Sequence, residues 1–187
     1  MNIFSLKPKL KVLFVATEAA PFVKAGGLGE VMFSLPRAMK KLGYDARVMI
    51  PRYAGVDQGK FKLTMEVEHL NVPTGGEGGH HPEFLICNVK RYDSNPDDGR
   101  APVTAYFLEN QEYYETRANV YGYADDAVRW ALFGRGVLEF LRSSHKWLPD
   151  VIVAADWQAA FVINYLKTAY KDDSRLKTIA TVFSIHN

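Results

Sequence analysis

At 187 residues, with 48% hydrophobic and 24% charged content, the chain has the make-up of one globular domain and is too short for two large ones. Its formal net charge of +2, with basic and acidic residues interspersed, speaks against a nucleic-acid groove. The single cysteine, Cys87, excludes an intrachain disulfide and a cysteine-rich metal site, and fits a reducing setting.

Met1 to Leu10 carries Lys7 and Lys9 but no apolar core of signal-peptide length and no transit-peptide pattern. No apolar run reaches the roughly 18 residues of a membrane span. The expected setting is therefore the cytoplasm, with a plastid left open. Leu10 to Ala16 is short, apolar and β-branched, so it reads as a first strand. Apolar residues at Leu28, Val31, Leu35, Ala38, Met39 and Leu42 have helical spacing, with Pro36 expected to kink the helix and Gly43 to stop it. Ala46 to Ile50 reads as a second strand. Strand, glycine-rich turn, helix and strand make a βαβ unit.

The middle differs. Phe61, Leu63, Met65 and Val67 alternate with polar residues, as in a strand with one wet face. Thr74 to Gly79 and Asn95 to Gly99 are turn chemistry, and Glu83 to Val89 and Val103 to Leu108 are further strands. These predict an antiparallel extension beside a parallel sheet. Alternation of strand and helix then returns: a helix over Asp125 to Leu141, a strand over Val151 to Ala155, a helix over Asp156 to Tyr170 and a strand over Thr178 to Ile185. The fold class is α/β: a Rossmann-like, doubly wound, mostly parallel sheet in a single domain over 1–187. A chain stopping on a central strand reads as a fragment.

In open α/β sheets, ligands bind beyond the carboxyl ends of the strands. Four polar clusters fall there. Glu18 to Glu30 combines Gly26, Gly27 and Gly29 with Lys24 at a helix start, a combination suited to a phosphate or developing anion. The glycines serve equally well for close helix–strand packing. Their spacing is neither that of a dinucleotide fingerprint nor that of a P-loop, and the second strand ends in Ile50-Pro51-Arg52-Tyr53 with no acidic residue placed for a ribose, so a nicotinamide cofactor is disfavoured. Tyr121 to Asp126 and Asp156-Trp157-Gln158 each offer acidic residues that also suit helix caps, and Trp157 could fill the core. His186-Asn187 is the weakest of the four.

These residues resemble the bacterial glycogen synthases and plant starch synthases. The resemblance rests on Val12 to Glu18 with Pro21, then Lys24-Ala25-Gly26-Gly27-Leu28-Gly29-Glu30-Val31, Leu35 to Ala38 and Gly43 to Pro51. Tyr121 to Trp130, Pro149 to Ile152, Asp156-Trp157 and Ile185-His186-Asn187 follow in order. It implies the N-terminal half of a GT-B fold, two Rossmann-like domains facing a cleft, the C-terminal nucleotide-sugar domain being absent from this chain. The implied reaction transfers glucose from ADP-glucose or UDP-glucose to the non-reducing end of an α-1,4-glucan with retention. The chain alone is expected to be inactive.

The same resemblance places Asp125, Gln158 and His186 among the catalytic residues. It assigns substrate binding to Lys24, Gly26, Gly27, Glu30 and Asn187. Glu30 stands where many relatives have aspartate. Gln158 stands where many have a histidine that contacts the transferring glucose, and glutamine carries no proton. No cofactor, metal, nucleic acid or membrane is implied; the partners are the glucan, the nucleotide sugar and the missing domain. A diphosphate leaving group needs charge stabilisation rather than a glycosidase's paired carboxylates. The other reading is a non-catalytic carbohydrate-binding or regulatory module on the same fold.

Overall fold

The computed structural model describes residues 10–75, 82–94, 101–144 and 147–186. The N-terminal segment 1–9, the expected turns at Gly76 to Gly79 and Asn95 to Gly99, and Asn187 lie outside the described residues.

Among the described residues, seven strands form one sheet in the order β3-β4-β5-β2-β1-β6-β7. They are β1 (Lys11–Val15), β2 (Asp45–Pro51), β3 (Thr64–Pro73), β4 (Phe84–Asp93), β5 (Thr104–Glu109), β6 (Val151–Ala155) and β7 (Ala180–Ser184). Parallel pairs join β5 to β2, β2 to β1, β1 to β6 and β6 to β7. Antiparallel pairing of β4 with β5 and of β3 with β4 supplies the expected extension. β1 is buried on both faces, as its unbroken Val12-Leu13-Phe14-Val15 run demands.

Alternate residues of β1 feed two cores. Leu13 and Val15 join Met49, Tyr106 and Leu108 under α3 (Asp126–Ser143) and α4 (Asp156–Lys167). Val12 and Phe14 join Val48 and Ile50 under α1 (Gly27–Lys41), whose Leu28 and Met32 are buried there. The helices thus cover both faces. The chain turns one way from β1 to β2 and the other way to β6, so the topological switch point lies between β1 and β6.

α3 owes its depth to two glycines. A Cβ on Gly134 would meet the Phe161 and Val162 backbone of α4 at 2.9 Å, and one on Gly136 would meet Leu108 of β5 at 2.5 Å. α1 continues through Pro36, and Arg37 Nη1 donates to the Phe33 carbonyl at 2.7 Å beside it.

Some expectations need correction. Phe61 does not begin a strand. Asp57 caps a short helix α2 (Gln58–Phe61), its carboxylate accepting from the Lys60 amide at 2.9 Å, and Lys62 ends it at φ 50°. A π-helical turn at Gln111–Glu115 was not anticipated. α4 stops at Lys167, short of Tyr170. Trp157 does not fill the core; it is exposed. No described helix is long and apolar enough to cross a membrane.

Candidate functional site

β1 delivers Thr17 and Glu18 to the sheet's carboxyl edge, both fully or nearly buried. The Glu18 carboxylate accepts the backbone N–H of Ala25 and, at 2.9 Å, that of Gly26. The glycine turn is therefore folded around an acidic side chain. Gly26 is the residue before α1 and makes no side-chain cap. Its missing Cβ leaves room for Glu18, whose Oε1 would lie 3.3 Å from one. Gly27 differs, since a Cβ there would meet nothing within 4 Å. Gly29 lies under Lys24, whose Cγ would be 3.2 Å from its Cβ.

The first-turn amides of α1 have no partner within the helix and carry its positive dipole end. Beside them Lys24 Nζ pairs with Glu30 Oε1 at 2.7 Å, with both side chains just over half exposed (53% and 54%). Such a pair is worth at most about 1 kcal/mol, so an arriving anion readily recruits the lysine.

The neighbouring strand ends add a second group. Asp156 opens α4 with φ 63°, in the left-handed region that non-glycine residues avoid. Its Oδ1 accepts the backbone N–H of His186, just past β7, at 2.6 Å. The His186 ring shares a 2.9 Å hydrogen bond between Nε2 and Ser184 Oγ. Gln158, in the first turn of α4, holds its Oε1 buried without a hydrogen-bond donor among the described residues. A buried unmatched acceptor is costly and marks a place where a donor is wanted.

The loop between the π-helical turn and α3 reaches the same edge. Tyr121 hydroxyl meets Thr17 Oγ1 at 2.6 Å, and Tyr53 hydroxyl donates to the Thr17 carbonyl at 2.9 Å. Burial pushes the Tyr121 hydroxyl up to about 12; its bond to Thr17 pulls the other way, and the Glu18 and Asp156 carboxylates add to the rise. Arg129, fully buried, organises this loop. It donates to the Val120 and Tyr113 carbonyls, each at 2.9 Å, and to Asp126 Oδ1 at 2.6 Å.

Neither helix-start aspartate caps with its side chain. Asp126 Oδ2 accepts from the Gly122 amide at 2.9 Å. Asp125 makes no side-chain cap and accepts Arg117 Nη2 at 2.7 Å. The two carboxylates point to different partners, unlike a glycosidase pair. Asp125 also borders a cleft of about 670 Å³, walled by Tyr113, Tyr165, Val128 and Arg135.

Lys24, Gly26, Gly27 and Glu30 thus share one turn, and Gln158 and His186 share the adjoining ends of β6 and β7. Asp125 faces the separate cleft, which none of the other expected residues that are described lines. Sequence reasoning passed over Glu18, Thr17, Tyr121 and Asp156 as site residues. Glu18, Tyr121 and Asp156 lay inside clusters singled out for their position at the strand ends, and Thr17 just before one of them. The hydrogen bonds of Thr17, Tyr121 and Asp156, however, join residues far apart in the chain, and those of Glu18 close a turn seven and eight residues on, so none leaves a local pattern.

The starch synthase catalytic domain family matches residues 11–187. The glycogen synthase of Clostridium acetobutylicum is 36% identical over 178 residues, covering 95% of this chain and 35% of that protein. That of Alkaliphilus metalliredigens is 39% identical over 179 residues, covering 95% and 34%. This chain thus spans about a third of the length of these curated relatives. Among solved structures, the catalytic domain of starch synthase IV from Arabidopsis thaliana, bound to ADP and acarbose, superposes with a TM-score of 0.81. It is 27% identical, and the match covers 96% of this chain and 34% of that one. The shared architecture is the expected mostly parallel sheet with an antiparallel extension, of GT-B type.

Proposed function

The chain belongs to the starch synthase catalytic domain family, and on that premise we propose that it forms one wall of a glucosyl-transfer cleft. It is the N-terminal Rossmann-like domain of an enzyme that moves glucose from ADP-glucose or UDP-glucose to the non-reducing end of an α-1,4-glucan, with retention. A second domain supplies most of the nucleotide contacts, and the chain alone is inactive.

The observation that carries this reading is the turn at the end of β1. There Lys24, the open face of Gly27 and the first-turn amides of α1 lie together at the switch-point edge. A departing nucleoside diphosphate needs such fixed positive charge and donors, and no acid. ADP in the Arabidopsis neighbour supports a nucleoside diphosphate here, and acarbose there supports a sugar chain. Gln158, with its unmatched acceptor, is the group here to receive a glucosyl hydroxyl. The cleft beside Asp125, with its tyrosine walls, suits the passage of the acceptor chain.

The test is Lys24→Ala in the full-length protein. Loss of a charged contact to the diphosphate lowers kcat/KM for the nucleotide sugar about 10- to 100-fold. Near wild-type kinetics sink the phosphate role. Robust turnover by this chain alone, given nucleotide sugar and glucan primer, sinks its proposed inactivity.

A further inference from the structure

The buried acid inside the glycine turn has no place in the chemistry above. Glu18 is 2% exposed, on the strand side of the turn, and no cation pairs with it among the described ion pairs. It holds two backbone amides, those of Ala25 and Gly26, both on the same oxygen, Oε2, and the Tyr121 hydroxyl also hydrogen-bonds to its carboxylate. Bonds from N–H to a carboxylate are about twice as strong as neutral ones. A carboxylate beside an anion site otherwise opposes the anion, so its presence needs a compensating function.

We infer that Glu18 is the positioning residue of the diphosphate-binding turn, a clamp that fixes the backbone ahead of α1 and thereby aims Lys24 and the free first-turn amides. This rests on the proposed diphosphate site and adds a division of labour to it. The Ala25 and Gly26 amides are spent on Glu18. The amides of Gly27, Leu28 and Gly29 are left for the ligand, and Gly27 has the open approach. Lys24 leaves the clamp one residue before Ala25, and its stem lies against Gly29. A shift of the clamp therefore moves the cation and the amides together. Gly26 takes part through its missing Cβ, because at φ −149° its backbone is extended and needs no glycine. Behind the clamp, Tyr121 and Thr17 brace the strand end that carries Glu18.

The roles of acceptor and charge separate by substitution. Glu18→Gln keeps one oxygen at the same reach. Glu18→Asp keeps the charge but falls one methylene short. Gly26→Ala leaves Glu18 in place and crowds its carboxylate.

The experiment measures donor and acceptor kinetics of these variants in the full-length protein, with Lys24→Ala alongside. For Glu18→Gln, kcat/KM for the nucleotide sugar stays within about fivefold of wild type, since the acceptor is retained. For Glu18→Asp the donor KM rises about tenfold or more, the equivalent of one charge-assisted contact. Gly26→Ala shifts it in the same direction by a smaller factor and adds nothing in the Glu18→Asp background. The glucan KM stays unchanged throughout.

A merely structural role lowers the active fraction, hence kcat, and leaves both KM values alone; that result overturns the inference. So does a Glu18→Gln variant as impaired as Glu18→Asp, which makes the charge itself essential. If Lys24→Ala is crippled while Glu18→Asp and Gly26→Ala behave as wild type, the clamp fails and the diphosphate site stands. If Lys24→Ala is itself unaffected, the diphosphate site fails.

Discussion

The backbone N–H of His186 reaches Asp156 Oδ1 at 2.6 Å, so the exit from β7 is tied to the start of α4 by a residue whose own backbone is in the left-handed region. Asparagine tolerates that region and offers an oxygen at the same reach; alanine does neither. Asp156→Asn should keep stability within about 1 kcal/mol of wild type, and Asp156→Ala should lose about 1–3 kcal/mol. Urea denaturation of both variants checks the ordering. Equal losses would mean that the tie to His186 contributes nothing.

Gly27 separates folding from binding. With nothing within 4 Å of a Cβ there, Gly27→Ala should leave the melting temperature unchanged or slightly raised. Nucleotide-sugar binding should weaken about tenfold or more, because the methyl group fills space the diphosphate needs. Calorimetric titration of the full-length protein with ADP checks this. Undiminished affinity would remove the ligand from that face of the turn.

The two helix glycines of α3 should rank by what they touch. A methyl group at Gly134 runs into the α4 backbone, which cannot give way without moving the helix; at Gly136 it meets the end of the Leu108 side chain. Gly134→Ala should cost about 1–3 kcal/mol by overpacking, and Gly136→Ala less. Thermal unfolding of the pair gives the order, and the reverse order would contradict this packing.

Acid should weaken the start of β2. Burial raises the Asp45 carboxyl, but hydrogen bonds from Arg47, Lys40 and Trp147 outweigh it and hold it down at about 2, against an ordinary 3.8. The native state therefore favours ionised Asp45. The stabilisation is full above pH 3.8 and is lost as pH falls through about 2. Asp45→Asn should be less stable than wild type at neutral pH, with the gap closing across that window. Denaturation curves from pH 7 to 2 test it, and a gap independent of pH would assign the effect to packing.

The strands of the parallel core were legible because their signal is local. Val12 to Val15 and Val151 to Ala155 are apolar runs that must be buried on both faces, and they lie where periodicity put them. α1 was legible from its apolar stripe and Gly43. Where two local signals competed, the weaker was overlooked. Phe61, Leu63, Met65 and Val67 alternate like a strand, yet the Asp57 cap turns the first of them into a helix. β3 then carries register shifts between Met65 and Leu70 and a left-handed His69, which plain alternation cannot express.

The site divides in the same way. Lys24 and the glycines stood out by composition. The role of Glu18 depends on bonds seven and eight residues along the chain, and that of Tyr121 on one to Thr17, 104 residues away. The Tyr121 contact exists only once distant segments have been brought side by side, and those of Glu18 only once the turn after β1 has closed.

Trp157 has a practical consequence. Of the chain's three tryptophans, Trp130 is wholly enclosed and Trp147 nearly so, while Trp157 is 53% open to solvent beside Gln158. Its indole emission can be quenched by iodide or acrylamide where the other two are shielded. The protein thus carries its own optical reporter next to the proposed glucosyl pocket. Protection of that emission reads occupancy directly, without a label and without turnover.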